Sequence, residues 1–386
     1  MLSAHQRLAA LAVTVAVIAA NGAGCGSSSK SSNASTSSSA VSTTTTTEPV
    51  LVEAETSATP SAGCDLAPPA AVQLERRTVQ VADLERWYLV TVPPASPPTA
   101  ARPAEPAATP LPLVLDFHGF TEGAVSHAQM TGFSPVAESE GFIAVFPQGL
   151  GDLARWSAGP GGDATGDNPD LAFTEALLDQ LEASLCVDTS RVYAAGLSNG
   201  AMMTSMLACR LADRLAAVAP IAGIAAYGAC EPDRAVPMLT IHGTADPILL
   251  FNGGVGDLVK LISGGPSGQG GQPATEAPET TTIPVDIDGA GYPANTRAWA
   301  ERNGCAPNPT DTAVSPEVTL RTYDGPVDAD VQMYIVTGGG HAWPGSEFSR
   351  NVAAIVGHTT FDIDATQLIW EFFTRFRLPE RSSGAG

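Results

Sequence analysis

The chain predicts an α/β fold, with a mostly parallel central sheet and helices on both faces. Three observations point there. Short apolar runs bounded by Gly or Pro, such as "LPLVLDF" and "VPMLTIHG", have the length and look of buried strands. Between them stand stretches of helical periodicity, such as "DLAFTEALLDQLEASL". The two kinds alternate along the chain, which is how parallel sheets covered by helices are built. With 386 residues and no internal repeat, one large domain with appendages is expected.

The elements follow in order. Leu8–Ala20, "LAALAVTVAVIAA", is too short to span a ~30 Å hydrocarbon core comfortably and reads as the core of an export signal, with a short membrane anchor as the alternative. "GAGC" then ends at Cys25, like the lipidated cysteine of a bacterial lipobox, although Gly22 departs from the aliphatic residue usual there. Residues 1–25 are therefore read as a lipoprotein-type signal. Residues 26–62, rich in Ser and Thr, have too little apolar surface to fold and read as a disordered tether. A catalytic body is expected over 63–378, with 379–386 as a tail.

Within the body, Thr78–Val81 and Arg86–Val92 flank "ADLE" as a hairpin. A Pro/Ala connector leads to the strand "LPLVLDF", and "GFIAVFP" is the next strand. Asp170–Leu185 is a helix, with Pro169 before it and an acidic start. "RVYAAG" is a strand, Asn199–Leu211 a helix, and "LAAVAPIAG" and "VPMLTIHG" two more strands. Residues 252–291, rich in Gly, Pro and Thr, read as a flexible insertion. Asn295–Arg302 is a helix, "DVQMYIVTGG" a strand and Ala365–Phe376 a closing amphipathic helix.

Composition excludes several functions. The formal net charge is −21 and the only lysines are Lys30 and Lys260. No basic face is available for nucleic acid or for anionic lipid, so neither is expected as a partner; membrane contact is expected only through the N-terminal anchor. Export favours disulfides among Cys64, Cys186, Cys209, Cys230 and Cys305. Cys186 precedes the strand into "GLSNG" and Cys209 ends the helix after it, so these two could meet. Cys64, Cys230 and Cys305 then compete for one further bridge. No spacing suggests a metal site, and no cofactor fingerprint is present.

The candidate chemistry centres on "GLSNG", where Ser198 stands between Gly196 and Gly200, after a strand and before a helix. This is the nucleophile elbow of the α/β-hydrolase fold, which presents a serine hydroxyl above the sheet at a helix N-terminus. A hydroxyl needs a base, and that fold orders its triad as serine, acid, histidine. His341, in "TGGGHAWPG" past a strand, is the expected base. Asp246, in "IHGTADP", is the expected acid, ahead of Asp328 and Asp330. His242 is expected to order the acid loop and His358 to be a surface or packing residue. The oxyanion donors are expected to be the amides of Asn199 and Phe120, with Thr121 as an auxiliary, and His118 is expected to hold that loop.

"LVLDFHGF", "FPQGL", "CVDTSRVYAAGLSNGAMM", "VPMLTIHGTADPI" and "GGGHAWPG" together resemble the poly(3-hydroxybutyrate) depolymerase-like esterases, a group with bacterial lipoprotein esterases and the feruloyl and acetylxylan esterases of carbohydrate esterase family 1. The resemblance spans residues 64–378. It implies a serine esterase acting through Ser198, Asp246 and His341 without a cofactor. The implied substrates are extracellular esters, either hydroxyalkanoate oligomers or feruloyl and acetyl groups on polysaccharide. It places Trp343 and Trp156 against the substrate pocket, and Met202, four residues past the nucleophile, joins them. The rival readings are a peptidase or acyltransferase on the same scaffold, and a catalytically silent envelope protein. The chain departs from the group at "GDNPDLAF", where an Asp-Asp-Val helix start is usual. It also lacks the cysteine that relatives often carry in the segment matching "TYDGPV", which would partner Cys305.

Overall fold

The computed structural model describes residues 58–94, 109–159, 167–262 and 284–379. The expected signal, Cys25, most of the tether and the middle of the 252–291 insertion lie outside the described residues. In chain order the elements are strands β1 (Val72–Val81), β2 (Leu84–Val92) and β3 (Leu111–Phe117), helices α1 (Gly123–Thr131) and α2 (Phe133–Glu140), and strand β4 (Ile143–Pro147). Helix α3 (Pro169–Ser184), strand β5 (Val187–Leu197), helix α4 (Asn199–Arg210), and strands β6 (Ala217–Ile221) and β7 (Met238–Gly243) follow. Helices α5 (Asp257–Ile262) and α6 (Tyr292–Arg302) precede strands β8 (Thr310–Ala313), β9 (Val318–Tyr323) and β10 (Val331–Val336). Helices α7 (Glu347–Asn351), α8 (Ala353–Val356) and α9 (Ala365–Phe373) close the chain.

All ten strands form one sheet in the order β1-β2-β4-β3-β5-β6-β7-β10-β9-β8. The six strands from β4 to β10 run parallel, and an antiparallel pair caps each edge. The mostly parallel α/β-hydrolase sheet that the sequence predicts is therefore observed. Period-2 alternation divides each central strand between two cores. Leu113, Leu115 and Phe117 of β3 face Leu177, Met203, Met206 and Trp299 on α3, α4 and α6. Val114, Tyr193 and Ala195 face Phe133, Trp370 and Phe373 on α2 and α9.

From β3 the chain goes to β4 on one side, and β5 then lies on the other. The sheet thus has its switch point between β3 and β5, and in open α/β sheets the crevice beyond the carboxyl ends at such a point is the natural ligand site. The loop after β3 and the turn after β5 both open there.

Several elements differ from the sequence reading. Helices α1 and α2, strands β8 and β9, and short helices within 252–262 and 347–356 carry no clear periodicity; Gly, Ser, Pro and scattered charge dilute it. Helix α6 starts three residues earlier than expected, with Pro293 in its first turn, where a missing N–H costs nothing. The folded body also takes in residues assigned to the tether. The Ser61 amide donates to the Val187 carbonyl at 2.9 Å, and the Thr59 amide to Asp188 Oδ1 at 3.0 Å.

The disulfides are Cys64–Cys186 and Cys209–Cys230, so the expected meeting of Cys186 with Cys209 does not occur. The segment entering at Ser61 is hydrogen-bonded beside Leu185 and Val187, which puts Cys64 with its Cα 4.0 Å from that of Cys186. At the far end of α4, Cys209 meets the loop after β6 instead. Cys305 is a buried thiol.

Candidate active site

Ser198 sits at the end of β5 with φ 58° and ψ −116°, a conformation that a residue with a side chain rarely adopts. What holds it there is close backbone packing. A β-carbon built on Gly196 would lie 2.7 Å from the carbonyl oxygens of both Gly200 and Phe117, and one on Gly200 would overlap the Phe117 carbonyl. The two glycines thus let the turn press against the end of β3. The hydroxyl stands at the N-terminus of α4, whose first amides have no partner inside the helix.

The expected acid and base lie at the same edge of the sheet. Asp246 follows β7, His341 follows β10, and these strands are parallel neighbours. His341 Nδ1 and Asp246 Oδ2 are 2.7 Å apart. The carboxylate is saturated. Oδ1 accepts the amides of Ile248 at 2.8 Å and Leu249 at 2.9 Å, and Oδ2 also faces His242 Nε2 at 3.2 Å. Burial opposes its charge, but His341 and the bonds from both histidines outweigh burial and hold the carboxyl well below the usual carboxylate range. An ionised Asp246 can only accept, so His341 Nδ1 is the donor in this bond. Among the described residues no hydrogen bond joins the Ser198 hydroxyl to His341; such bonds are often long in enzymes without substrate and tighten in the complex. His341 is itself held from behind, its amide donating to the Val356 carbonyl at 2.6 Å.

The expected rivals lie elsewhere. Asp328 and Asp330 precede β10 and so stand at the opposite edge, where Asp330 pairs with Arg375. His358 is half-exposed and pairs with Glu317 at 3.0 Å. His242 is buried, stacks on Tyr292 with ring centres 3.8 Å apart and donates to the Leu249 carbonyl, so it does order the acid loop.

The loop after β3 lies against the nucleophile: a β-carbon on Gly119 would be 3.6 Å from Ser198 Cβ. Phe120 is 40% exposed and its amide has no partner among the described residues. Thr121 is not available as an auxiliary donor, because its amide is spent on the Ala154 carbonyl at 2.8 Å. His118 accepts the Gly149 amide at Nε2, at 2.9 Å, and gives Nδ1–H to the Gly119 carbonyl at 2.7 Å. Burial drives its pKa down to about 4, so it is a neutral strut for the loop.

Known proteins resemble this chain. The family model described as "Esterase PHB depolymerase" matches residues 98–266. A putative esterase, NocK, of Nocardia uniformis subsp. tsuyamanensis is 30% identical over 77% of this chain and 81% of its own length. The chain belongs to the PHB depolymerase family of esterases. Feruloyl esterase B of Piromyces equi is 29% identical over 60% of this chain, and the match spans only 39% of that larger protein. Among solved structures, an acetyl xylan esterase from Aspergillus awamori superposes with a TM-score of 0.45 at 16% identity, over 69% of this chain and 94% of that one.

Two of the esterase's three expected pocket residues are elsewhere. Trp156 is 2% exposed, packed between Phe117, His118 and Phe173, with its indole N–H donated to the His118 carbonyl at 2.8 Å. Trp343 is 1% exposed, against His127 and Phe133, and donates to Thr366 Oγ1 at 3.0 Å. Both indoles bury a large apolar area and satisfy their one donor inside, which makes them core rather than wall. Met202, on the first turn of α4, remains half-buried, with its carbonyl accepting the Tyr227 hydroxyl at 3.0 Å.

The sequence reading missed the parts that brace the esterase's site. The Asn199 side chain receives the Trp156 amide at 2.7 Å and donates to the Trp156 and Ala158 carbonyls, tying the 156–158 loop to the start of α4. Arg86 and Asp170 form a buried pair at 3.0 Å, and Asp170 accepts the Ser157 amide at 2.7 Å. A second buried cluster joins Asp116, His127 and Glu122 beneath the β3 loop. Its sequence signal is a carboxylate inside an otherwise apolar strand, "LVLDF", since such a group is buried only with a partner.

Proposed function

We propose that this family member is an exported serine esterase that works through an acyl-enzyme. Ser198 Oγ attacks the ester carbonyl while His341 Nε2 takes its proton, and Asp246 stabilises the imidazolium that forms. The Phe120 and Asn199 amides receive the oxyanion of the tetrahedral intermediate. His341 then returns the proton to the leaving alkoxide, the alcohol departs, and water attacks the acyl-serine with the same base. The observation that carries this reading is the saturated, ionised Asp246 at 2.7 Å from His341, on the sheet edge where the strained Ser198 turn stands. The favoured substrates are extracellular carboxylic esters: feruloyl or acetyl groups on polysaccharide, or hydroxyalkanoate oligomers. Two disulfides suit an oxidising compartment, and tethering through a lipidated Cys25 places the enzyme at the cell surface.

The test compares wild type and Ser198→Ala on p-nitrophenyl acetate, methyl ferulate and 3-hydroxybutyrate oligomers, beside a fluorophosphonate label. Wild type hydrolyses at least one ester and is labelled. Ser198→Ala loses label and at least about a thousandfold of kcat. Hydrolysis that survives Ser198→Ala, or activity confined to peptides, rejects the reading.

A further inference from the structure

Beneath the β3 loop lies a buried chain of polar groups that no step above uses. Asp116 points from β3 into the interior, where Oδ2 accepts the Thr131 hydroxyl at 2.7 Å and Oδ1 meets His127 Nε2 at 2.9 Å. His127 Nδ1 meets Glu122 Oε2 at 3.0 Å, and the same Glu122 oxygen accepts the Gly119 amide at 2.8 Å. Both imidazole nitrogens thus face carboxylates, which needs the doubly protonated ring as donor on each side. Burial works against that charge, but Asp116 and Glu122 outweigh it and push the His127 pKa up to about 10. Among the described residues Glu122 Oε1 is buried without a partner, and the carboxylate's hydrogen bonds fall on Oε2.

The chain of groups ends beside the nucleophile. The point where a Gly119 β-carbon would sit is 3.2 Å from Glu122 Oε2 and 3.6 Å from Ser198 Cβ. Gly119 immediately precedes Phe120, whose amide has no partner among the described residues. The loop is locally strained, with Thr121 at φ 67°. A strained loop keeps one geometry only where its surroundings fix it.

We propose that Glu122 is a positioning residue of the oxyanion site: held by protonated His127 on Asp116, it anchors the Gly119 amide and thereby aims the Phe120 amide at the reacting carbonyl. This rests on the esterase reading above. The role lies in hydrogen-bond geometry, since a glutamine oxygen at the Oε2 position accepts the same two bonds. The part of catalysis at stake is stabilisation made in the transition state, so kcat responds rather than KM.

The experiment measures kcat, KM and inhibition by phenylboronic acid, whose tetrahedral serine adduct places an oxygen among the oxyanion donors, for wild type, Glu122→Ala, Glu122→Met and Glu122→Gln in the full chain. Methionine fills the same space without an acceptor and serves if alanine does not fold. The expected result is a fall in kcat of about ten- to a hundredfold for Ala or Met, KM within about threefold, a parallel loss of boronate affinity, and recovery of most of the kcat in Gln. A folded Ala or Met variant that keeps wild-type kcat and boronate affinity overturns the inference while leaving the esterase standing. So does a Gln variant as impaired as Ala. A wild-type chain that hydrolyses no ester overturns the functional reading, and the inference with it.

Discussion

Among single residues, His127 shows how much a site depends on groups that never touch substrate. Its charge is stabilised only in the folded state, where Asp116 and Glu122 face it. Its pKa rises from an ordinary 6.5 to about 10 on folding. The native state therefore holds a proton that the unfolded chain has released throughout that window. Its contribution to stability is complete below pH 6.5, declines as pH rises, and is gone above about 10. Chemical denaturation from pH 6 to 10 should show wild type losing stability, and an Asp116→Asn, His127→Asn double variant should show a flatter slope. Equal slopes would mean that the ring is neutral in the fold. The candidate triad was legible from sequence because its members follow a fixed order next to recognisable turns. His127 was not, because a histidine within "VSHAQMT" carries no local mark; only its distant partner in β3 gives it meaning. Trp156 and Trp343 erred the other way. The family resemblance placed them against substrate, but an indole so large is more stable with its faces packed and its N–H satisfied.

Whole elements were read well where periodicity is strong. The buried central strands and α3, α4 and α9 fall close to their expected places, because each has a continuous apolar run or stripe. Strands β8 and β9 escaped because they lie at the sheet's edge; β8 is exposed along its whole length and has no reason to be apolar. The turn after β9 offers a testable pairing. A β-carbon built on Gly325 would lie 2.7 Å from Cys305 Sγ, close to where a bonded cysteine's carbon belongs. Gly325→Cys should therefore pair with Cys305. A thiol assay on denatured protein would then count one thiol fewer than wild type, although a cysteine has been added. The loop closed is about twenty residues, so the gain in stability is about 3 kcal/mol. A thiol count one higher than wild type would show that the two cannot meet.

Across the molecule, two ties hold the body at its rear, the amino edge of the parallel strands. Leu378 near the end of the described chain donates to the Ser190 carbonyl at 2.8 Å, and Arg377 pairs with Asp188 at 3.0 Å. The Cys64–Cys186 bridge spans 122 residues, against 21 for Cys209–Cys230. Removing the longer link releases far more freedom to the unfolded chain. Cys64→Ser with Cys186→Ser should lower stability by about 5 kcal/mol, and Cys209→Ser with Cys230→Ser by about 3 kcal/mol. Equilibrium urea unfolding compares them, and a reversed order would mean that native contacts, not chain freedom, dominate. The active-site edge is the opposite one, so catalysis in the folded fraction should survive the first change.

Asn252 fastens one small knot on this body. Its side chain donates to the carbonyls of Asp286 at 2.6 Å and Ala290 at 3.1 Å and receives the Asp286 amide at 2.9 Å, while Arg321 pairs with Asp288 and Asp311 and donates to the Ile287 carbonyl. The described stretches before and after residues 263–283 are joined at this gate. Whatever is spliced between, whether a shorter bridge or a foreign module with its own affinity for a polymer, would be carried by that gate, and the catalytic machinery would not have to be rebuilt to accept it.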